Sequence, residues 1–343
     1  MPVIRVHDLV KEFRTARRAP GIGGSLRTLF TREQKVTRAV DGVSFELAAG
    51  ELVGYLGRNG AGKSTTVKLL TGILHPTSGE VEVAGLVPWR QRERNAMNIG
   101  VVFGQRSQLW WDLPLIESFE VIAVMYRMDK ELYKRNLARF TELLDMGPFL
   151  STPVRQLSLG QRMRGDLAAA MLYEPRILYL DEPTVGLDVV AKERIRTFIA
   201  ETNRAEGTTV ILTTHDMRDI ERLCSRVILI ETGKLLFDGA VNALVARYAP
   251  GRVLVLHLAD GSAVPELAGT ELVKHEGPQS WLRFDPATTP VAQLIADATT
   301  RYQVVDIAIQ EPDLEQVVRQ IFDERALAQH GAMAAGRPEI LRE

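Results

Sequence analysis

The sequence predicts an α/β fold with a mostly parallel sheet, an inserted helical subdomain and a small C-terminal α+β domain. Three observations carry this. Short apolar runs of strand length recur through the first 240 residues, helical patterns separate several of them, and both patterns change after Gly239. Near-continuous apolar runs are what strands look like when helices cover both faces of a parallel sheet.

Taken in order, "ELVGYL" (51 to 56), "NIGVVF" (98 to 103), "RILYLD" (176 to 181), "TTVILTTH" (208 to 215) and "RVILIETG" (226 to 233) read as buried strands. Helices are expected over about 64 to 74, 191 to 205 and 216 to 224. Residues 104 to about 173 break the alternation with "IESFEVIAVMYRM" and "KELYKRNLARFTELLDM", where Leu132, Leu137, Phe140 and Leu144 form an apolar stripe. This stretch is the helical insertion, and its Met and aromatic residues are expected in its core.

Past Gly239, "RVLVLHLA", "ELVKHEG", "SWLRFDP" and "VVDIAIQ" alternate with the helical "PVAQLIADATTRY" and "EPDLEQVVRQIFDERA". They make an accessory α+β domain over 241 to 326, followed by a tail, 327 to 343, expected to be poorly ordered. Residues 14 to 38 hold seven basic residues against one acid, Glu33, around a glycine-rich centre. A solvated loop is the first expectation for them, and contact with anionic lipid headgroups or a membrane subunit is the sharper one.

Composition narrows the function. A chain of 343 residues, 45% hydrophobic and 25% charged, can bury a sizeable core. A net charge of −1 gives no overall pull toward a polyanion, so no nucleic-acid partner is expected. Cys224 is the sole cysteine, which excludes an intrachain disulfide and is expected to be a buried apolar position. "MPVIRVHDLV" lacks the order of a secretory leader, and no apolar run approaches the roughly 20 residues that span a bilayer. Any membrane role is therefore expected to run through a second chain.

The strongest chemical signal is "GRNGAGKST" at 57 to 65, which leaves a predicted strand and opens a predicted helix. Gly57, Gly60 and Gly62 let backbone N–H groups turn onto phosphates, with Asn59 and Thr65 in the same cradle. Lys63 is placed to reach the β- and γ-phosphates of a nucleotide, and Ser64 offers a hydroxyl to Mg²⁺. "RILYLDEP" delivers Asp181 and Glu182 at a strand end, and strand alternation sends the two carboxylates to opposite sides. Asp181 suits the metal; Glu182 suits the general base. His215 and Gln105 end two further strands, His215 within reach of a γ-phosphate and Gln105 positioned to touch both Mg²⁺ and that phosphate.

"QLSLGQRMRGDLAAAML" (156 to 172) poses a different question, because Ser158 sits at an N-cap and Gly160 follows, as in a second, weaker anion cradle. With it, the set resembles the ATP-binding subunit of an ABC transporter. The phosphate loop, Gln105, "LSLGQ" (157 to 161), "ILYLDE" (177 to 182), "VGLD" (185 to 188) and His215 occur once each in that family's order and span about residues 3 to 240. The resemblance implies a P-loop ATPase core binding ATP and Mg²⁺. It also implies a head-to-tail dimer with a second copy or a homologous subunit, in which Ser158, Gly160 and Gln161 close over the ATP held by the partner. Asp188 would then link the two sites.

Three positions depart from the family pattern: Leu159 where glycine is usual, Arg58 where proline is frequent, and Phe13 as the adenine-stacking aromatic, set further from the phosphate loop by the basic insert. The implied function is the ATPase of a transporter, most consistent with drug and polysaccharide exporters, docked on an integral membrane permease at the cytoplasmic face of the cell membrane. An ABC ATPase acting on nucleic acid or ribosomes is the alternative, and a small-molecule kinase would explain neither "LSLGQ" nor His215.

Overall fold

The computed structural model describes residues 2–16, 34–104, 106–248, 251–259, 264–311 and 313–335. The chain divides into two compact units between Gly239 and Ala240.

In the first unit, β1 (Pro2–Ala16), β2 (Gln34–Ala48) and β4 (Ser78–Val83) form an antiparallel sheet in the order β2-β1-β4. The other sheet has the order β5-β6-β7-β3-β8-β9, from β3 (Leu52–Leu56), β5 (Ile99–Phe103), β6 (Ile177–Asp181), β7 (Thr209–Thr213), β8 (Arg226–Glu231) and β9 (Lys234–Ala240). Its β5–β6, β6–β7, β7–β3 and β3–β8 pairings are all parallel. All five strands expected from apolar runs are present, and β3 and β7 are buried at every position.

The antiparallel sheet is what the sequence reading missed. Its long strands are separated by the basic stretch, so no tight-turn signal joins them. The ladder continues to Thr15↔Lys35 and Ala16↔Gln34, so both ends of that stretch are paired strand rather than loop. Residues 17–33, which carry most of its charge, lie outside the described residues.

Parallel strands bring their carboxyl ends to one edge, where ligands collect. Phe103 pairs with Asp181 and Asp181 with Thr213, so three strand ends meet in one row. Helix α1 (Lys63–Leu70) leaves β3 beside them, and the short α2 (Arg92–Ala96) precedes β5.

The inserted helices are α3 (Leu115–Met125), α4 (Lys130–Leu143) and α5 (Leu159–Met171). Asp129 caps α4, its carboxylate accepting from the Glu131 and Leu132 N–H groups at 2.9 and 3.3 Å. Phe140 and Leu144 are buried as the stripe predicts, and Phe140 meets Phe198 edge-on at 5.3 Å on α6 (Val189–Glu206). Expectation fails at Trp110, Trp111 and Met125, which are exposed rather than in the core. Helix α7 (Met217–Leu223) completes the unit, and Cys224, just after it, is buried, which pushes its thiol pKa up.

The second unit contains α8 (Val241–Tyr248), an antiparallel sheet in the order β11-β12-β10-β13, α9 (Val291–Arg301) and α10 (Leu314–Ala335). Its strands are β10 (Arg252–Leu258), β11 (Thr270–Glu276), β12 (Gln279–Phe284) and β13 (Val304–Gln310). Alternate residues Leu254, Leu256 and Leu258 of β10 pack with Leu282, Phe284, Leu294 and Ala298. Among the described residues no group of His, Cys, Asp and Glu is arranged to hold a metal ion by itself.

Candidate functional site

The phosphate loop folds as its glycines require. Gly62 caps α1 with φ +109°, and a Cβ there would lie 2.2 Å from the Ala39 carbonyl oxygen of β2. No side chain caps α1, so its first-turn N–H groups remain available to an anion, where the helix dipole favours one. Lys63 is buried, and its ammonium donates to the Gly57 and Arg58 carbonyls at 2.6 and 3.2 Å. Burial lowers its pKa, while Glu182 and Asp181 pull the other way. A desolvated cation held by loop carbonyls is poised for phosphate oxygens.

Asp181 is fixed on both oxygens. The Thr213 hydroxyl donates to Oδ1 at 2.6 Å, the Ser64 hydroxyl to Oδ2 at 3.0 Å, and the Gly104 N–H to its backbone oxygen at 2.8 Å. Glu182 corrects the sequence argument. Strand alternation was expected to part the two carboxylates, yet both line one cavity of about 420 Å³ together with Ser64, Phe103, Gly104 and Arg106. The reason is local: β6 ends at Asp181, and Glu182 adopts φ +57°, outside the strand region. Such a conformation costs about 1–3 kcal/mol and needs support. That support includes its N–H, which donates to the Thr213 carbonyl at 2.9 Å.

His215 Nε2 lies 2.6 Å from Glu182 Oε1. The histidine expected to face a γ-phosphate thus also touches the carboxylate expected to act as base. Its own loop is anchored behind the site by Asp219, which is fully buried and which sequence reasoning missed. Asp219 accepts from the Thr184 hydroxyl at 2.6 Å, the Thr214 hydroxyl at 3.1 Å and Arg196 Nε at 2.7 Å. Thr184 follows Glu182 by two residues and Thr214 precedes His215, so one carboxylate fixes both partners. Removing one member of a buried ion pair typically costs about 3–5 kcal/mol. Asp219→Ala is expected to lose stability in that range in urea unfolding, and a loss under about 1 kcal/mol would refute the anchoring role.

Only "TTHD" hinted at Thr213 and Thr214. Asp219, Thr184 and Arg196 belong to no spacing pattern, and Gly104 shows its role only as an N–H donor to the neighbouring strand.

Ser158 caps α5 in a reciprocal box: its hydroxyl accepts from the Gln161 N–H at 3.2 Å, and Gln161 Oε1 accepts from the Ser158 N–H at 2.9 Å. Neither these residues nor Gly160 are among the walls of the Asp181–Glu182 cavity. Leu159 is 39% exposed, so the extra side chain points outward rather than into the helix packing. Asp188 caps α6, accepting from the Ala191 N–H at 2.8 Å. Asn59 and Gly60 are exposed and Thr65 is half-buried. Phe13 is also 39% exposed, with the Lys11 ammonium 5.3 Å from its ring centroid, so the core does not claim it. Gln105 lies outside the described residues.

Residues 40–185 match the family model described as "ABC transporter". Nod factor export ATP-binding protein I of Burkholderia orbicola is 36% identical over 230 residues, covering 66% of this chain and 73% of that protein. Methionine import ATP-binding protein MetN of Latilactobacillus sakei is 29% identical over 312 residues, covering 84% and 86%. Among solved structures, a dimeric bacterial ABC transporter cassette superposes with a TM-score of 0.57 at 25% identity, covering 69% of this chain and 98% of that one.

Proposed function

Because this chain belongs to the family of ABC transporter ATP-binding proteins, we propose that it forms a head-to-tail dimer around two ATP molecules and powers export through a separate membrane permease. The observation that carries the reading is the division of the site. Ser64, Asp181 and Glu182, the proposed metal and base residues, line one cavity at the start of α1, and the half that closes the site, the Ser158 cap, is presented elsewhere on the same chain. A second copy turned head to tail brings one half to the other.

In each composite site the α1 N–H groups and Lys63 bind the phosphates. Ser64 and Asp181, two hard oxygen donors 3.0 Å apart, fit Mg²⁺, which when bound neutralises phosphate charge. Glu182 takes a proton from the attacking water, and His215 holds the carboxylate by its Nε2–H. Asp188 would sit at the seam, between the exposed Val185, Val189 and Val190.

The permease contact is placed on the helical insertion, where Trp110, Trp111, Val124 and Met125 are exposed. Because ATP is supplied inside the cell, the proposed site of action is the cytoplasmic face of the membrane; among the described residues no helix is long and apolar enough to cross it. The export assignment is supported by the export relative, and the import relative makes direction the point to test. Affinity purification of the full chain from native membranes should recover one integral membrane protein. Vesicles holding that pair should move substrate away from the ATP side, and movement toward it would overturn export. Replacing residues 17–33 with Asn-Gly, a two-residue turn that can close the Ala16↔Gln34 pair, should weaken binding to anionic-lipid vesicles without lowering ATPase activity; unchanged binding would rule out the lipid contact.

A further inference from the structure

The helix that Ser158 caps carries a buried carboxylate that the reaction does not use, and it faces the segment that continues from the wall of the Asp181–Glu182 cavity. Asp166 sits on α5, two turns past Ser158, and is 5% exposed. Its Oδ1 accepts from the Ser107 hydroxyl and from the Gln108 N–H, both at 3.0 Å. In return, the Gln108 side-chain amide donates to the Asp166 backbone oxygen at 3.0 Å. Ser107 Oγ also accepts from the Leu109 N–H at 3.2 Å, so the hydroxyl is oriented toward the carboxylate by its own turn.

This segment is continuous with the cavity wall. Phe103, Gly104 and Arg106 line the space that holds Asp181 and Glu182, and the next two residues are the ones that grip Asp166. On the far side, Gly165 lets the segment press close: a Cβ there would lie 2.8 Å from Leu115 Cδ1 and 3.1 Å from Leu109 Cδ1. Three hydrogen bonds and a close helix approach thus join the segment at Ser107 and Gln108, beyond the end of β5, to helix α5.

The joint retains a group that is costly to bury. Loss of solvent raises the Asp166 pKa to about 6, against the Gln108 N–H, the Ser107 hydroxyl and Arg162, which favour the ionised form. An apolar residue of similar volume would avoid that cost, as buried polar groups often could be replaced without loss of stability.

We infer that Asp166 is a positioning residue that makes the pose of the Ser158 cap depend on the state of the nucleotide cavity in the same chain. The inference rests on the head-to-tail reading above, because only there does the pose of Ser158 matter to a site. Without Asp166, each chain should still bind nucleotide in its own cavity but present its cap less accurately to the partner. The defect is expected in assembly, not in nucleotide affinity.

The test uses the full chain carrying Glu182→Gln, to suppress turnover, with Mg²⁺-ATP. Nucleotide affinity is measured at protein concentrations too low for association, and ATP-driven self-association by sedimentation. Asp166→Ala should weaken self-association about tenfold while nucleotide affinity stays within about twofold, a split in the usual range of coupling between sites. Ser107→Ala, the milder change, should weaken association in the same direction, and the double variant should lose less than the two single losses combined. Asp166→Asn, which keeps an oxygen acceptor, should recover most of the loss. Equal loss of nucleotide affinity, or additive effects of Asp166→Ala and Ser107→Ala, would overturn the inference. If the parent chain associates with ATP and Asp166→Ala associates equally well, the inference alone fails. If the parent itself does not associate, the head-to-tail reading fails and takes the inference with it.

Discussion

Replacing Glu182 with glutamine is expected to lower ATP turnover by about 10²- to 10⁴-fold while ATP binding persists, the range a positioned general base contributes. The amide cannot accept the proton of the attacking water, yet it keeps the shape that fits against His215, 2.6 Å away. Hydrolysis would stall after closure, so the ATP-bound dimer should accumulate on a sizing column. Turnover at the wild-type rate would remove Glu182 from the role of base. The substitution has a second, smaller expected effect: the His215 contact becomes a neutral hydrogen bond, weaker than the one to a carboxylate. Turnover by a His215→Ala variant should therefore fall less than that of Glu182→Gln.

The second large effect is a complementation. Ser158→Arg obstructs the cap, and Lys63→Ala removes the buried ammonium proposed to bind the phosphates. Each homodimer then has two crippled sites, and each variant alone should show only residual activity. A mixed dimer keeps one intact composite site, because the Lys63 and Ser158 of that site come from different chains. Mixing the two purified variants should restore a clear fraction of the wild-type rate. Full activity in either variant alone would contradict the shared site, and absence of rescue on mixing would place both residues in one chain's own site.

Much of this could be read from the chain because its chemistry is written in short, contiguous pieces. The phosphate loop folds locally: Gly62 needs its left-handed backbone whatever surrounds it, and Lys63 is delivered by the helix that follows. The five sheet strands could be read because burial on both faces leaves a simple apolar run. The β1–β2 hairpin could not, since its register depends on pairing across 17 residues, too long a connection for a tight turn to set it. The same limit explains Glu182. Period-two alternation holds only while the strand lasts, and the strand ends one residue too soon for the rule to apply. Asp219 and Asp166 were invisible for a different reason: each gathers donors from separate segments, and isolated acids in amphipathic helices look like solvated ones.

The long β1–β2 ladder also bears on how this chain can change. Directly paired residues on antiparallel strands sit about 5 Å apart, so the last pair, Ala16↔Gln34, fixes the two ends of whatever lies between them. Doubling the length of a flexible segment closed in this way costs only about 0.6 kcal/mol. The tip of the ladder is therefore a splice point, at which evolution or an engineer can exchange a docking module, a reporter or an affinity handle without renegotiating the catalytic core.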